Sequence, residues 1–280
     1  MTRLDRFADI VMRSQFSVAE ACLMIAEDAY PALDCAAYIK KIESMADTVG
    51  SRLAADAFAE QKIAALNGYL FGELGFRGNV TDYYDPRNSY LNDVLDRMTG
   101  LPITLSIVYM EVGRRIGLPL HGVSFPGHFL VKLRLRRGEL VLDPFQDGAP
   151  QSDDELRKRL EQFVPKASAA RAGSAADIRA FLEAASPRDI ILRVLRNLKA
   201  VHIKADRLSD ALAVMNRILL VVPELPEELR DRGLLYERLE CFRPAAADLQ
   251  NYLRRQPNGA DAEALRVKLS ALQSAVSRLN

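Results

Sequence analysis

Four short blocks between Tyr84 and Gly148 constrain the fold of this 280-residue chain more than any other feature. The second block places a proline in the first turn of a predicted helix, where its missing N–H costs no hydrogen bond. The third block contains a histidine beside a predicted strand, and the fourth contains the Asp-Pro pair that ends the next predicted strand. In order they read Asn-Ser-Tyr-Leu (88–91), Gly-Leu-Pro-Ile-Thr-Leu-Ser (100–106), Phe-Pro-Gly-His-Phe (125–129) and Leu-Asp-Pro-Phe (142–145). This order predicts a helix followed by two antiparallel strands.

The two predicted strands place His128 and Asp143 on one face of a sheet. From residue 123 to residue 142 the hydrophobic period is two, and residues 137–138 form a plausible turn. With that turn Lys132 faces Asp143, and His128 has the same parity as Lys132. In this register His128 and Asp143 lie about 13 Å apart along the strand. A contact between them therefore requires a bulge or a wider turn.

A paired His128 and Asp143 would have a chemical use. A carboxylate that accepts from one ring nitrogen orients the imidazole, and the other nitrogen can then deprotonate a nucleophile. The nucleophile belongs at the start of the helix that opens at residues 101–104, and no cysteine stands there. Thr104, Ser106 or an activated water remain as attacking groups. The alternative is a structural His–Asp pair, with the hydroxyl groups serving as helix caps.

Four residues in or beside the first two blocks are candidates for the lining of a cleft. They are Asn88, Ser89, Asn92 and Pro102. Caps and turn hydrogen bonds explain the first three equally well.

The N-terminal segment, up to Gly75, reads as helices. Asp34 is a predicted N-cap, and a third helix is predicted from residue 53 to residue 74 with Phe58 facing inward. Cys22 and Cys35 lie in these helices, where a buried cysteine behaves as a small hydrophobic residue. We therefore expect a helical bundle before the strands.

The C-terminal part contains an internal repeat whose period, about 34 residues, is that of tetratricopeptide (TPR) units. A small alanine lets the two helices of a unit approach, and a proline closes the unit. Lys199 and His202 stand where the second unit has glycine and tyrosine, and Cys241 lies in the turn of the second unit. The predicted packing residues are Ala211, Pro223, Gly233, Tyr236, Ala245, Leu249 and Pro257.

The central blocks have the layout of a papain-like thiol site and resemble the transglutaminase-like superfamily. Together with the TPR helices, they are similar to the SirB-type bacterial family, in which a transglutaminase-like domain precedes TPR repeats. The resemblance implies that His128 and Asp143 match the family histidine and aspartate. It also implies that the superfamily cysteine falls at residues 102–104, where this chain has Pro-Ile-Thr.

Composition argues against several classes of function. The 38 Lys and Arg residues nearly balance the 37 Asp and Glu residues, which argues against a nucleic-acid binder. The three cysteines form no C-x-x-C pair and no zinc-ligand spacing, so we expect a reducing cytoplasm, no metal and no cofactor. The longest apolar runs fall far short of about 20 residues, so no membrane span is expected.

The sequence thus predicts an α+β fold: an N-terminal helical bundle with a small papain-like/transglutaminase-like antiparallel sheet core, then an all-α TPR-like C-terminal array. The predicted domains are 1–165 (helical 1–80, core 81–165), a linker at 166–186, and TPR-like repeats at 187–280. The predicted function is a non-catalytic scaffold that binds a protein partner through the TPR-like helices, for example at Arg196 or Lys199. The alternative is an amide hydrolase or acyltransferase that uses His128 and Asp143. The sequence does not name the partner, the substrate or the oligomeric state.

Overall fold

The chain forms two compact units. The computed structural model describes residues 2–135, 138–163 and 175–278. Arg13–Val194 make one unit, here called the sheet unit, and Met1–Met12 join Leu195–Asn280 in the other, here called the array unit. Each unit has its own hydrophobic clusters. The segment before Arg13 therefore groups with the C-terminal helices rather than with the helices that follow it in sequence.

Seven α-helices lie wholly within the described part of the sheet unit. Most of them pack around α6, whose residues 102–113 are all buried. The helices are α2 (Val18–Ala26), α3 (Cys35–Gly50), α4 (Ala59–Asn67), α5 (Leu91–Arg97), α6 (Pro102–Arg115), α7 (Asp153–Phe163) and α8 (Ala175–Ala180).

Six short strands lie in the described part of the sheet unit. β1 (Arg77–Gly78) pairs in parallel with β2 (Thr99–Gly100) just before α6. The other four form an antiparallel sheet in the order β3-β4-β5-β6. They are β3 (Leu120–Val123), β4 (Leu130–Leu135), β5 (Gly138–Asp143) and β6 (Ala149–Pro150). The mixture of a helical bundle and a small antiparallel sheet confirms the predicted α+β class.

Local sequence signals fix the helix ends. The Asp34 side chain accepts from the Ala37 N–H and caps α3, as predicted. Pro102 is the first residue of α6. Gly117 follows the end of α6 with φ +79°, a left-handed conformation that glycine adopts at little cost.

The predicted helix at 53–74 is wrong in its extent. Helix α4 begins only at Ala59, and a π-helical turn follows it at Gly68–Glu73. Phe58 lies outside the helix and is 72% exposed rather than inward-facing. The predicted start was wrong because residues 51–58 form turns and irregular backbone, so the hydrophobic period was extended beyond the N-terminus of α4.

The predicted linker falls partly outside the described residues, which omit 164–174. Its C-terminal part is structured, since α8 begins at Ala175. Ile178 and Leu182 are buried in a cluster with Phe125 of the sheet unit. The division into domains at 1–165 and 187–280 stays a prediction.

The array unit contains α1 (Arg3–Val11) and the successive C-terminal helices. These are α9 (Pro187–Lys204, of which residues 195–204 belong to this unit), α10 (Leu208–Val221), α11 (Pro226–Arg238), α12 (Phe242–Arg255) and α13 (Ala262–Arg278). They alternate as first and second helices of TPR-like units. Among the described residues, no helix combines the length and the apolarity that crossing a membrane requires.

Ion pairs join the first helices of successive units. Arg196 of α9 pairs with Glu228 of α11 at 3.2 Å, and Arg230 of α11 pairs with Asp261 at the start of α13 at 3.0 Å. These two pairs recur at nearly the period of the repeat. Helices α9, α11 and α13 therefore form one row of neighbouring helices.

Candidate functional site

The structure brings His128 and Asp143 into direct contact. The His128 Nε2 lies 2.9 Å from both carboxylate oxygens of Asp143, and both side chains are buried. Nε2–H therefore donates to the carboxylate, and Nδ1 is the acceptor nitrogen of the neutral ring. No hydrogen bond reaches Nδ1 from the described residues. The two residues thus form the assembled pair that a general base would need.

The contact arises from a register that differs by two from the predicted one. Leu135 pairs with Gly138, and Val131 pairs with Leu142, so Asp143 stands opposite Leu130 rather than opposite Lys132. His128 lies in the turn just before β4, on the side that parity predicts. Neither a bulge nor a wider turn is involved. The prediction placed Gly138 in the turn, but Gly138 is the first residue of β5 and pairs with Leu135. Arg137, the other predicted turn residue, lies outside the described residues.

Asp143 has structural partners as well as His128. Its Oδ1 accepts from the Phe145 N–H at 3.0 Å, which caps the short 3₁₀ turn Pro144–Gln146. Its Oδ2 accepts from Arg159 of α7 at 3.2 Å. A fully buried carboxylate needs such partners to offset its lost hydration. The guanidinium also opposes any positive charge that would develop on His128 during proton transfer.

Thr104 is a structural cap rather than a free hydroxyl. Its Oγ1 accepts from the Leu101 N–H at 2.9 Å and donates to the Asn88 carbonyl at 2.8 Å. The side chain is buried against Gly100, where an added Cβ would lie 2.6 Å from Oγ1. Both hydrogen-bonding roles of this hydroxyl are therefore occupied on the side of α6 that carries β2 and Asn88.

Ser106 faces the opposite side of α6. It shares a helical stripe with Tyr109 and Gly113, and Gly113 packs against Leu120 of β3. Burial raises the pKa of Tyr109, whose hydroxyl donates to Asn67. The Ser106 Oγ is buried and has no hydrogen-bond partner among the described residues. Ser106 thus faces the sheet but is not bonded to His128.

The ring of Phe145 bridges the His128 turn and the strand beside the start of α6. It meets the His128 ring edge-on with centroids 5.9 Å apart. Its other side covers Gly78, where an added Cβ would lie 2.4 Å from the ring. Because Gly78 pairs with Gly100, just before Pro102, Phe145 occupies the approach from the histidine to the helix start.

The candidate cleft residues of the first block are buried, and Asn88 is fully engaged. The Asn88 Nδ2 donates to the Asp82 carbonyl at 2.7 Å, and its Oδ1 accepts from Asn79 at 3.1 Å. Asn88 thereby fixes the exposed loop that precedes it. The Ser89 Oγ and the Asn92 Oδ1 are buried without a hydrogen-bond partner in the described part of the chain.

An ion-pair cluster lies beside this block. The Asp85 carboxylate pairs with Arg87 at 2.8 Å and with Arg97 at 3.5 Å. Burial acts to raise the pKa of Asp85, but the Arg87 hydrogen bonds and charge outweigh it and hold the pKa below its usual value. Asp85 therefore remains a charged anchor for its loop.

An open cavity of about 450 Å³ is lined by Gly127 and Arg159, the neighbours of the His128–Asp143 pair, but by neither member of the pair. One wall is the polar face of α7, and the other walls belong to the turns that carry His128 and follow Asp143. The sequence did not predict this role of α7, because no local pattern marks Arg159 as a partner of Asp143. The lining includes Gly127, Gln146, Glu155, Lys158, Arg159 and Gln162.

No thiol among the described residues replaces the absent nucleophile. Cys22 is buried in α2, and burial together with the charge of Glu111 raises its pKa far above the usual value. Cys35 begins α3 and is partly buried, and Cys241 is exposed between α11 and α12 of the array unit. Within the ranges that the structure describes, no group of three or more His, Cys, Asp or Glu side chains could hold a metal ion.

Comparisons with known proteins cover almost the whole chain. Residues 36–196 match the transglutaminase-like superfamily, and residues 198–270 match the tetratricopeptide repeat. A UPF0162 protein of Xylella fastidiosa strain Temecula1 is 43% identical over 255 residues, which are 90% of this chain and 88% of the relative. The chain belongs to the UPF0162 family.

Other UPF0162 relatives extend the same match. A UPF0162 protein of Pseudomonas aeruginosa is 30% identical over 272 residues, with 96% of each chain covered. Protein SirB1 of Salmonella typhimurium is 26% identical over 235 residues, covering 84% of this chain and 83% of SirB1. No solved structure gives a significant match. The similarity to the SirB-type family is thereby confirmed.

The TPR-like residues of this UPF0162 chain pack between helices of the array unit. Gly233 of α11 lies against Leu249 of α12, where an added Cβ would be 2.9 Å from a leucine methyl. Ala211 and Ala245 are fully buried, and Tyr236 packs at the edge of the same cluster as Leu249. Pro223 and Pro257 follow α10 and α12.

Proposed function

We propose that this chain is a non-catalytic interaction protein of the cytoplasm. In this proposal the transglutaminase-like fold is a scaffold, and the TPR-like helices bind a partner protein. TPR arrays stack helix pairs so that one row of helices offers an extended surface to a partner. Fold alone does not establish an activity, so the proposal depends on the site itself.

The observation that carries the proposal is the state of the helix start at α6. Thr104 has both hydrogen-bonding roles occupied, and Pro102 has no reactive group. Phe145 contacts both the His128 ring and Gly78, and the only hydrogen-bond partner of the His128 ring among the described residues is Asp143. Asp143 stabilises its own turn and pairs with Arg159, which accounts for a buried His–Asp pair without catalysis.

The row formed by α9, α11 and α13 is the surface that we propose for partner binding. Lys199 is mostly buried and pairs with both Glu228 and Asp231, whereas Arg196 pairs with Glu228 through Nε and stays 48% exposed. Ile203, at the end of α9, is 38% exposed and is a better contact residue for a partner.

Two matched variants test this proposal. The full chain, immobilised, should retain a specific protein from a lysate of its own bacterium, and Ile203→Glu should weaken that retention at least tenfold. Ala247→Glu adds the same charge at an exposed position of α12 and should leave retention unchanged. His128→Ala should also leave it unchanged. If His128→Ala abolishes retention and Ile203→Glu does not, the scaffold proposal is wrong.

A second candidate function is an amide hydrolase that uses an activated water. The assembled His128–Asp143 pair favours it, because Nδ1 of His128 has no hydrogen bond to a described residue and an open cavity is lined by Gly127 and Arg159, which flank the pair. Turnover of a panel of peptide amides and esters by the intact chain, lost in both His128→Ala and Asp143→Asn, would establish this activity. Turnover that persists in both variants would refute it.

A further inference from the structure

Helix α1 is a short amphipathic helix seated on the array unit. Thr2 and Asp5 cap its start reciprocally, since each side chain accepts from the other residue's N–H. Phe7, Ile10 and Val11 are buried, and they lie three and four positions apart on one face. This helix packs along α10, although most of the chain separates the two helices in sequence.

The α10 surface under α1 has a specific chemistry. The guanidinium of Arg217 is fully buried and lies 4.7 Å from the centroid of the Phe7 ring. A buried cation is stabilised by the face of an aromatic ring, and an aliphatic side chain cannot replace that contact. The site therefore selects a helix that carries an aromatic residue at this position.

The second TPR-like unit shows that the fold does not require this surface. Val214, Arg217 and Val221 form a buried stripe along α10. One repeat later, the same stripe of α12 carries Asp248, Asn251 and Arg255. Of these, Arg255 is exposed and Asp248 pairs with Arg232. The buried stripe of α10 is thus a particular feature of the first unit, suited to a covering helix.

We infer that this α10 stripe is a helix-binding surface. In this structure α1 covers it, and an amphipathic helix of a partner with the same pattern displaces α1. The matching pattern is an aromatic residue followed by aliphatic residues three and four positions later. The inference rests on the proposed function, because it names a surface and a class of partner for the array unit.

Exchange of α1 is physically accessible. A helix as short as α1 is marginal in isolation, so α1 unfolds when it leaves and no other element need move with it. Tethering gives α1 an effective concentration in the millimolar range, so a competing helix binds the intact chain weakly unless its own contacts are better. The surface would therefore discriminate strongly among partners.

A peptide of residues 2–12, added in trans, tests the inference on the full chain. NMR chemical shifts of α10 residues report binding even at millimolar affinity. The Phe7→Ala chain should bind the peptide at least tenfold more tightly than the unaltered chain, because its own α1 no longer competes. A peptide carrying Phe7→Ala should bind neither chain. Asp9→Ala, on the exposed face of α1, should behave like the unaltered chain.

A second variant keeps the test decisive if Phe7→Ala disturbs folding. Ile10→Ser removes a smaller contact of the same face and should also tighten peptide binding. The inference is refuted if neither variant shows peptide-induced shifts on α10, or if the unaltered chain binds equally well. If Ile203→Glu loses retention and no peptide exchange is seen, the proposed function is supported and only the inference about the α10 stripe is refuted.

Discussion

The two hydroxyl groups near the start of α6 should have opposite effects on stability. Replacing Thr104 by valine keeps the shape of the side chain but leaves the Leu101 N–H and the Asn88 carbonyl without their partner. Each unsatisfied buried group costs about 1–3 kcal/mol, so for the two groups we expect a loss of about 2–6 kcal/mol in the free energy of unfolding. Thr104→Ser keeps the hydroxyl and should cost only about 1–2 kcal/mol for the missing methyl group.

Ser106→Ala is the matched counterpart further along the helix. The Ser106 hydroxyl is buried with no described partner, so its removal relieves a desolvation penalty. Alanine also has the better helix propensity, by about 0.5 kcal/mol. We therefore expect Ser106→Ala to stabilise the chain by about 1–2 kcal/mol.

Urea unfolding followed by far-UV circular dichroism measures both effects, since the chain has no tryptophan for a fluorescence signal. Thermal midpoints should change by about 2–4 °C for each kcal/mol. The reasoning fails if Thr104→Val unfolds within about 0.5 kcal/mol of the unaltered chain. It fails equally if Ser106→Ala destabilises the chain by more than that, because Ser106 would then have a bonded role.

Three further predictions concern thiols, pH and packing. A thiol reagent should modify exposed Cys241 in the folded chain, as mapped by mass spectrometry. It should modify Cys22, whose pKa is raised by burial, only after unfolding. Equal rates at the two thiols would contradict the described burial. Burial lowers the pKa of His202, so the unfolded chain binds more protons below about pH 6.5 and stability should fall there as pH falls. His202→Tyr should flatten the dependence of the urea midpoint on pH between 5 and 7, and an unchanged slope would exclude His202 as its cause. Gly233→Ala should destabilise the chain by about 1–2 kcal/mol, because the added methyl group clashes with Leu249. Gly68→Ala, with no neighbour within 4 Å, should be neutral or stabilising. Thermal midpoints in the reverse order would refute this packing argument.

Local features of this fold could be predicted because they depend on neighbouring residues. The cap at Asp34 and the helix start at Pro102 each need only a short stretch of sequence. The shared face of His128 and Asp143 follows from the alternation of side chains along a strand. Their contact could not be predicted, because it depends on the register, and a shift of one turn residue moves the register by two.

Tertiary features escaped the sequence for a different reason. The Arg159 contact with Asp143 and the Phe145 contact with Gly78 join elements that no periodic pattern connects. The exposed Phe58 was predicted inward because the hydrophobic period was extended across the turns that precede the start of α4 at Ala59. Such features depend on which surfaces meet in three dimensions.

The position of α1 has a consequence for how the protein is made. Phe7 is translated 210 residues before its partner Arg217 (217 − 7). At about 5–20 residues per second, the helix must wait about 10–40 s before its binding surface exists. During that time its hydrophobic face is open to chaperones and to other nascent chains. The array unit thus combines a segment translated early with helices translated much later.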